Sequence, residues 1–177
     1  MIKLFNDWDK WTNENAFSTS VRSMFGQRSG VKTIAFLTAE NPQGNKSTPQ
    51  QNNQNNKTLK RALTSAGVGF RPVKGKYNSE EKSLMVINAD RQTIVDFGQQ
   101  FDQESVIWGQ KIKDRESFNF EYIENGVTID QRNEVRLDQD RDDYYSYFGG
   151  GDDKRKFYIP FFDDEDTEPD AGEMLSE

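Results

Sequence analysis

At 177 residues the chain fits one domain with a core of its own, and it carries 23 Lys and Arg against 30 Asp and Glu, a net charge of −7. It contains no Cys and no His, which removes thiolate nucleophiles, Ser-His-Asp relays, disulfides and the usual Cys/His zinc sites. Acid–base chemistry would fall to Asp, Glu, Lys or Tyr; no cofactor is expected, and a metal would be a hard, oxygen-bound ion such as Mg²⁺.

The acidity is local. Residues 163–177 hold eight acids and no base, leaving 22 acids against 23 bases and a net charge of +1 over residues 1–162. Mean hydropathy is −0.96, so apolar residues must be concentrated in some segments and absent from others. No run of about 18 apolar residues and no apolar amino-terminal segment occurs, so a soluble, cytoplasmic protein with no membrane span is expected.

Taken in order, residues 1–12 place Leu4, Trp8 and Trp11 at helical spacing, and Phe17, Val21, Met24 and Phe25 extend a helical face. Ile34-Ala35-Phe36-Leu37 is a continuous apolar run of strand length, ended by Glu40-Asn41-Pro42-Gln43-Gly44. A helix then starts with Thr48 as N-cap, Pro49 in its first turn and Gln51 completing a capping box, and it stops at Gly67. Its apolar stripe, Leu59, Ala62, Leu63 and Ala66, continues backwards into Asn56, Asn55 and Asn52. Inward amides need partners, either the 38–44 loop or a ligand.

Further strands are expected at 68–76 and 83–88, a helix capped by Asp90 through about Gln100, and a strand at 104–108. This β-α-β-β-α-β order, with its short buried strands, predicts an α/β sandwich on a mixed sheet. Beyond it, Asn125-Gly126 between two alternating runs marks a hairpin, and an aromatic region follows around Tyr144–Phe148 and Phe157–Phe162. Those aromatics either cover the sheet or form a partner surface. Four parts result: a helical segment at 1–30, an α/β core at 31–109, a β-rich aromatic extension of the same domain at 110–162, and a disordered acidic tail at 163–177.

Thr38-Ala39, Asn41-Pro42 and Gly44, followed by Asn52, Asn56 and Leu59, then Glu81 and Ser83, then Phe101, Gln103 and Ser105, carry a resemblance. Over residues 33–108 the chain resembles a family of small bacterial and phage proteins known as a domain of unknown function. The resemblance implies no activity. It does draw together polar positions at strand ends, and in open α/β sheets ligand clefts lie beyond such ends. Thr38, Glu40, Asn41, Gly44, Asn52 and Asn56 are therefore the candidate ligand residues. Glu81, Ser83 and Gln103 are secondary, because Glu81 precedes its strand and would stand at the opposite end.

No catalytic constellation stands out. Gly44-Asn45-Lys46-Ser47 echoes a phosphate loop but lacks its first glycine, position 39 being Ala. Lys57, Lys60, Arg61, Arg71, Lys74 and Lys76 make a basic cluster, although the near-neutral body and acidic tail weigh against nucleic acid. Two functions follow as expectations. The first, leaning away from catalysis, is an accessory or interaction protein of phage type engaging a host protein. The second is an enzyme or sensor for a small polar or nucleotide-like ligand between loop 38–44 and the start of helix 49–66.

Overall fold

The computed structural model describes residues 20–77, 79–137, 144–148 and 155–163. The predicted helix at 1–12, the triple-glycine segment 149–151 and the tail from residue 164 lie outside them. Residues 20–24 are helical, with Met24 buried.

Local signals place the elements. β1 (Thr33–Leu37) is the first apolar run. α1 (Pro49–Ser65) begins where its cap stands, the Gln51 amide donating to Thr48 Oγ1 at 3.2 Å. β2 (Gly69–Tyr77) and β3 (Ser79–Ile87) follow, and then α2 (Arg91–Gln100), capped by Asp90 Oδ1, which accepts from the Thr93 amide at 2.7 Å. After it come β4 (Val106–Lys111), β5 (Phe118–Glu124), β6 (Val127–Arg132), β7 (Arg136–Leu137), β8 (Tyr144–Phe148) and β9 (Arg155–Tyr158).

The nine strands form one sheet in the order β6-β5-β4-β1-β3-β2-β8-β9-β7, and every neighbouring pair is antiparallel. The expected mixed-sheet α/β sandwich with N-terminal helices is thus not the fold. The molecule is mostly sheet, curled into a half-barrel. The apolar runs in β1, β3 and β4 had pointed to parallel strands because both of their faces are buried. Here two-sided burial has another source: helices cover one face and the curled sheet's own aromatics cover the other.

Within the sheet, β1-α1-β2-β3-α2-β4 with strand order β4-β1-β3-β2 is the split β-α-β arrangement of ferredoxin-like units. Alternation along each strand sorts the two sides. Ala35, Leu37, Leu84, Val86 and Trp108 pack under Leu59 and Leu63 of α1 and Ile94 and Val95 of α2. Ile34, Phe36 and Met85 point the other way, against Phe118, Phe120, Phe148, Phe157 and Phe161.

The curl follows from the ring contacts. Phe36 on β1 and Phe157 on β9 are four strand spacings apart in sheet order, about 19 Å if the sheet were flat. Their ring centroids are 6.0 Å apart. The outer strands β6 and β7 are also successive in sequence, so the residues from Arg132 to Arg136 must span both edges, at most about 14 Å. Arg132 closes the gap, its Nε donating to Pro160 O at 2.9 Å and Nη2 to Asp163 O at 3.0 Å.

Candidate functional site

The loop leaving β1 is held by its own polar residues. Asn41 and Gln43 take left-handed φ values of 49° and 56° on either side of Pro42, which asparagine tolerates better than most residues. Asn41 and Asn52 bond reciprocally: the Asn41 amide donates to Asn52 Oδ1 at 2.9 Å, and Asn52 Nδ2 donates to Asn41 Oδ1 at 3.0 Å. Asn41 Oδ1 also accepts from the Ser47 amide at 3.0 Å. From the loop between α2 and β4, Gln103 Nε2 donates to Glu40 O at 3.3 Å, and the Gln43 amide donates to Asp102 O of the same loop at 2.7 Å.

Glu40 is buried, and its charge is met by donors. Oε1 accepts from Asn56 Nδ2 at 2.8 Å, and Oε2 accepts from the Lys82 amide at 3.0 Å. Thr38 Oγ1 donates to Lys82 O at 2.7 Å and accepts from the Glu40 amide at 3.1 Å, tying the end of β1 to β3. Fixed donors on both oxygens offset the cost of burying this carboxylate.

Around this frame opens a cleft of about 370 Å³, lined among others by Thr38, Glu40, Asn41, Gly44, Glu81, Ser83, Gln103, Glu104 and Tyr122. Antiparallel pairing explains its composition. Leu37 pairs with Leu84 and Phe36 with Ile107, so the end of β1 meets the middle of β3 and the start of β4, and the part of β3 before Leu84 runs on past β1. The first residues of β3 therefore stand beside loop 38–44, and Glu81 and Ser83 join the primary candidates instead of facing away from them.

Asn52 and Asn56 do not line the cleft; they pin Asn41 and Glu40 from behind. Glu104 does line it, and sequence reasoning missed it. Glu104 Oε1 lies 2.8 Å from where a Cβ on Gly44 would stand, and the φ of 71° at Gly44 is what calls for glycine there. The only local signal for Glu104 is its place between Gln103 and Ser105, two residues already drawn into the pattern.

The cleft is acidic. No Lys or Arg is among its lining residues, which include Glu40, Glu81 and Glu104. Burial pushes the Glu81 carboxyl up to about 7; a hydrogen bond with Thr38 lowers it, and the neighbouring charge of Glu40 raises it further. Such a group holds and releases a proton near neutrality. Among the described residues no group of three or more carboxylates is arranged to hold a metal ion, and no helix is long and apolar enough to cross a membrane.

Fold and cleft together define the class: an antiparallel, half-barrel domain with helices on one face and an acidic cleft at the loop that follows its first strand. Residues 37–106 match the family model described as a protein of unknown function, DUF3293, which bears out the resemblance to an uncharacterised domain. No curated protein matches the chain. The matched segment contains every cleft residue except Phe36, Ile107 and Tyr122, so the cleft belongs to the part of the chain shared with that family model.

Proposed function

We propose that this domain binds a small polar molecule carrying a cationic nitrogen, an amine or guanidinium, in the acidic cleft. The observation that carries this reading is the lining: three glutamates around about 370 Å³, with no Lys or Arg among the lining residues. A nucleotide phosphate placed there would meet carboxylates with no counter-charge, whereas an ammonium gains their attraction in a partly desolvated site. The volume suits a molecule near the small end of ligand pockets. Glu81 adds selectivity, because a cation favours its ionised form and binding releases its proton. Affinity then rises as pH increases through about 7.

A thermal-shift series with small amines, guanidinium compounds, nucleotides and Mg²⁺ tests this, since a ligand specific to the native state raises Tm by mass action. The expected hits are cationic, stronger at pH 8 than at pH 6, and lost in Glu104→Gln. Stabilisation by nucleotides alone, or by no compound at all, sinks the reading. Asn52→Ala separates the frame from the lining: it lowers stability, and it weakens binding only through the displaced loop.

A second reading, an accessory protein of phage type engaging a host protein, draws on one surface feature. Val127 and Ile129 are 60 % and 48 % exposed on β6, at one end of the sheet order. Its partner would be sought with Val127→Lys beside the wild type, and with residues 163–177 deleted. Equal capture by all three would count against it.

A further inference from the structure

The basic residues left aside by the cleft converge elsewhere. α1 and β2 together hold six Lys and Arg and no Asp or Glu, in a chain whose net charge is −7. Lys57 and Lys60 of α1 and Lys74 and Lys82 of the β2–β3 hairpin line one groove of about 260 Å³, with Asn53 and Pro72. All four lysines are exposed, and among the described residues none is in an ion pair. Lys82 Nζ donates to Asn53 Oδ1 at 3.4 Å.

Register makes the arrangement extended. Lys74 pairs with Lys82 on one side and with Tyr147 on the other, and Tyr147 pairs with Lys156. Direct partners share a face of the sheet, so Lys82, Lys74, Tyr147 and Lys156 form one rung across four strands, about 14 Å long. On the next rung, Lys76 lies between Glu80 and Tyr145. Lys156 Nζ sits 4.8 Å and Lys76 Nζ 5.9 Å from the Tyr145 ring centroid. Glu80 is taken up by Tyr147, whose hydroxyl donates to Glu80 Oε1 at 3.0 Å. Like charges placed directly opposite one another destabilise a sheet, so the Lys74–Lys82 pair calls for an anion.

We propose that this rung and groove bind single-stranded nucleic acid. A row of cations about 14 Å long exceeds what one phosphate needs and matches a repeating polyanion. The half-buried Tyr145 supplies the aromatic surface that unstacked bases use. The groove meets the acidic cleft at Ser83, but none of its four lysines lines that cleft, so either proposal can fail without the other.

Fluorescence anisotropy with a labelled oligothymidylate, a matched duplex, polyphosphate and polyglutamate decides it. The single strand is expected to bind at low salt, with a log–log salt slope of roughly −2 to −3, corresponding to three or four phosphate contacts. Lys57→Glu/Lys74→Glu is expected to weaken it at least about tenfold with a Tm no lower than that of the wild type, since Glu at 74 faces Lys82, while Lys113→Glu, on an exposed turn, leaves it unaltered. Tyr145→Ala should weaken the oligonucleotide and spare polyphosphate. The proposal is overturned by no binding, by equal affinity for duplex, by polyphosphate or polyglutamate binding alone, or by a double variant that binds as the wild type does.

Discussion

Glu81 is the residue whose chemistry depends most on its surroundings. An isolated glutamate titrates near 4.5, whereas burial, and secondarily Glu40, push this one up to about 7. The folded state therefore holds a proton that the unfolded chain has released. The stability this group contributes is fully present below pH 4.5 and is lost as pH rises through about 7. Glu81→Gln, which keeps the shape without the charge, should be more stable than wild type at pH 8 by about 1–2 kcal/mol, after discounting for solvent screening. The gap should close towards pH 5. Urea titrations at several pH values check this, and a gap independent of pH would contradict it. At the same scale, Asn52 and Asn56 were readable as inward amides from the stripe they share with Leu59 and Leu63. Whether they served a loop or a ligand was not, because both uses require the same donors and acceptors at the same helix face. Their bonds to Asn41 and Glu40 place them in the loop's frame.

At the scale of elements, most local signals were sufficient. Thr48 and Asp90 cap the two helices, and Asn125 and Gly126 take the positive φ values, 49° and 78°, that a tight hairpin needs. What could not be read was how closely neighbouring strands approach. Gly109 on β4 pairs with Phe120 on β5. A Cβ there would stand 2.5 Å from the Phe120 ring, itself fully buried. Gly109→Ala should therefore cost about 1–3 kcal/mol as the ring is forced from its place. The expected result is a lower urea midpoint with an unchanged m-value; a midpoint equal to wild type would mean that the ring moves freely. The aromatic region also resolves at this scale. Phe148 and Phe157 stack with centroids 5.0 Å apart inside the curl, so these rings cover the sheet.

At the scale of the molecule, closure joins ring contacts, Tyr122 lying 5.5 Å and 5.0 Å from the Phe161 and Phe162 centroids, to a polar junction. Arg132, at the end of β6, holds the segment after β9 through Pro160 O and Asp163 O, and pairs with Asp130 at 3.0 Å. The Phe162 amide donates to Asp130 Oδ2 at 2.8 Å, which makes the junction reciprocal. Arg132→Leu should cost about 2–3 kcal/mol by leaving these acceptors without their donor. Hydrogen exchange should show protection lost first at β9 and residues 159–163, with α1 and α2 little changed. A uniform loss of protection would show that the edges are held together by other means.

The sequence by itself determined the places of the elements, because caps, turn residues and apolar periodicity act within a few positions of one another. It also determined which chemistry is absent, since residues that are not there cannot act. Strand direction was decided only by the tertiary structure: an apolar run records that both faces are buried and carries no mark of which way its neighbour runs. That difference builds the cleft. Antiparallel pairing runs the first half of β3 past the end of β1 and brings the start of β4 to it, and so sets Glu81 and Glu104 beside Glu40 in a space that local pattern assigned to loop and helix alone.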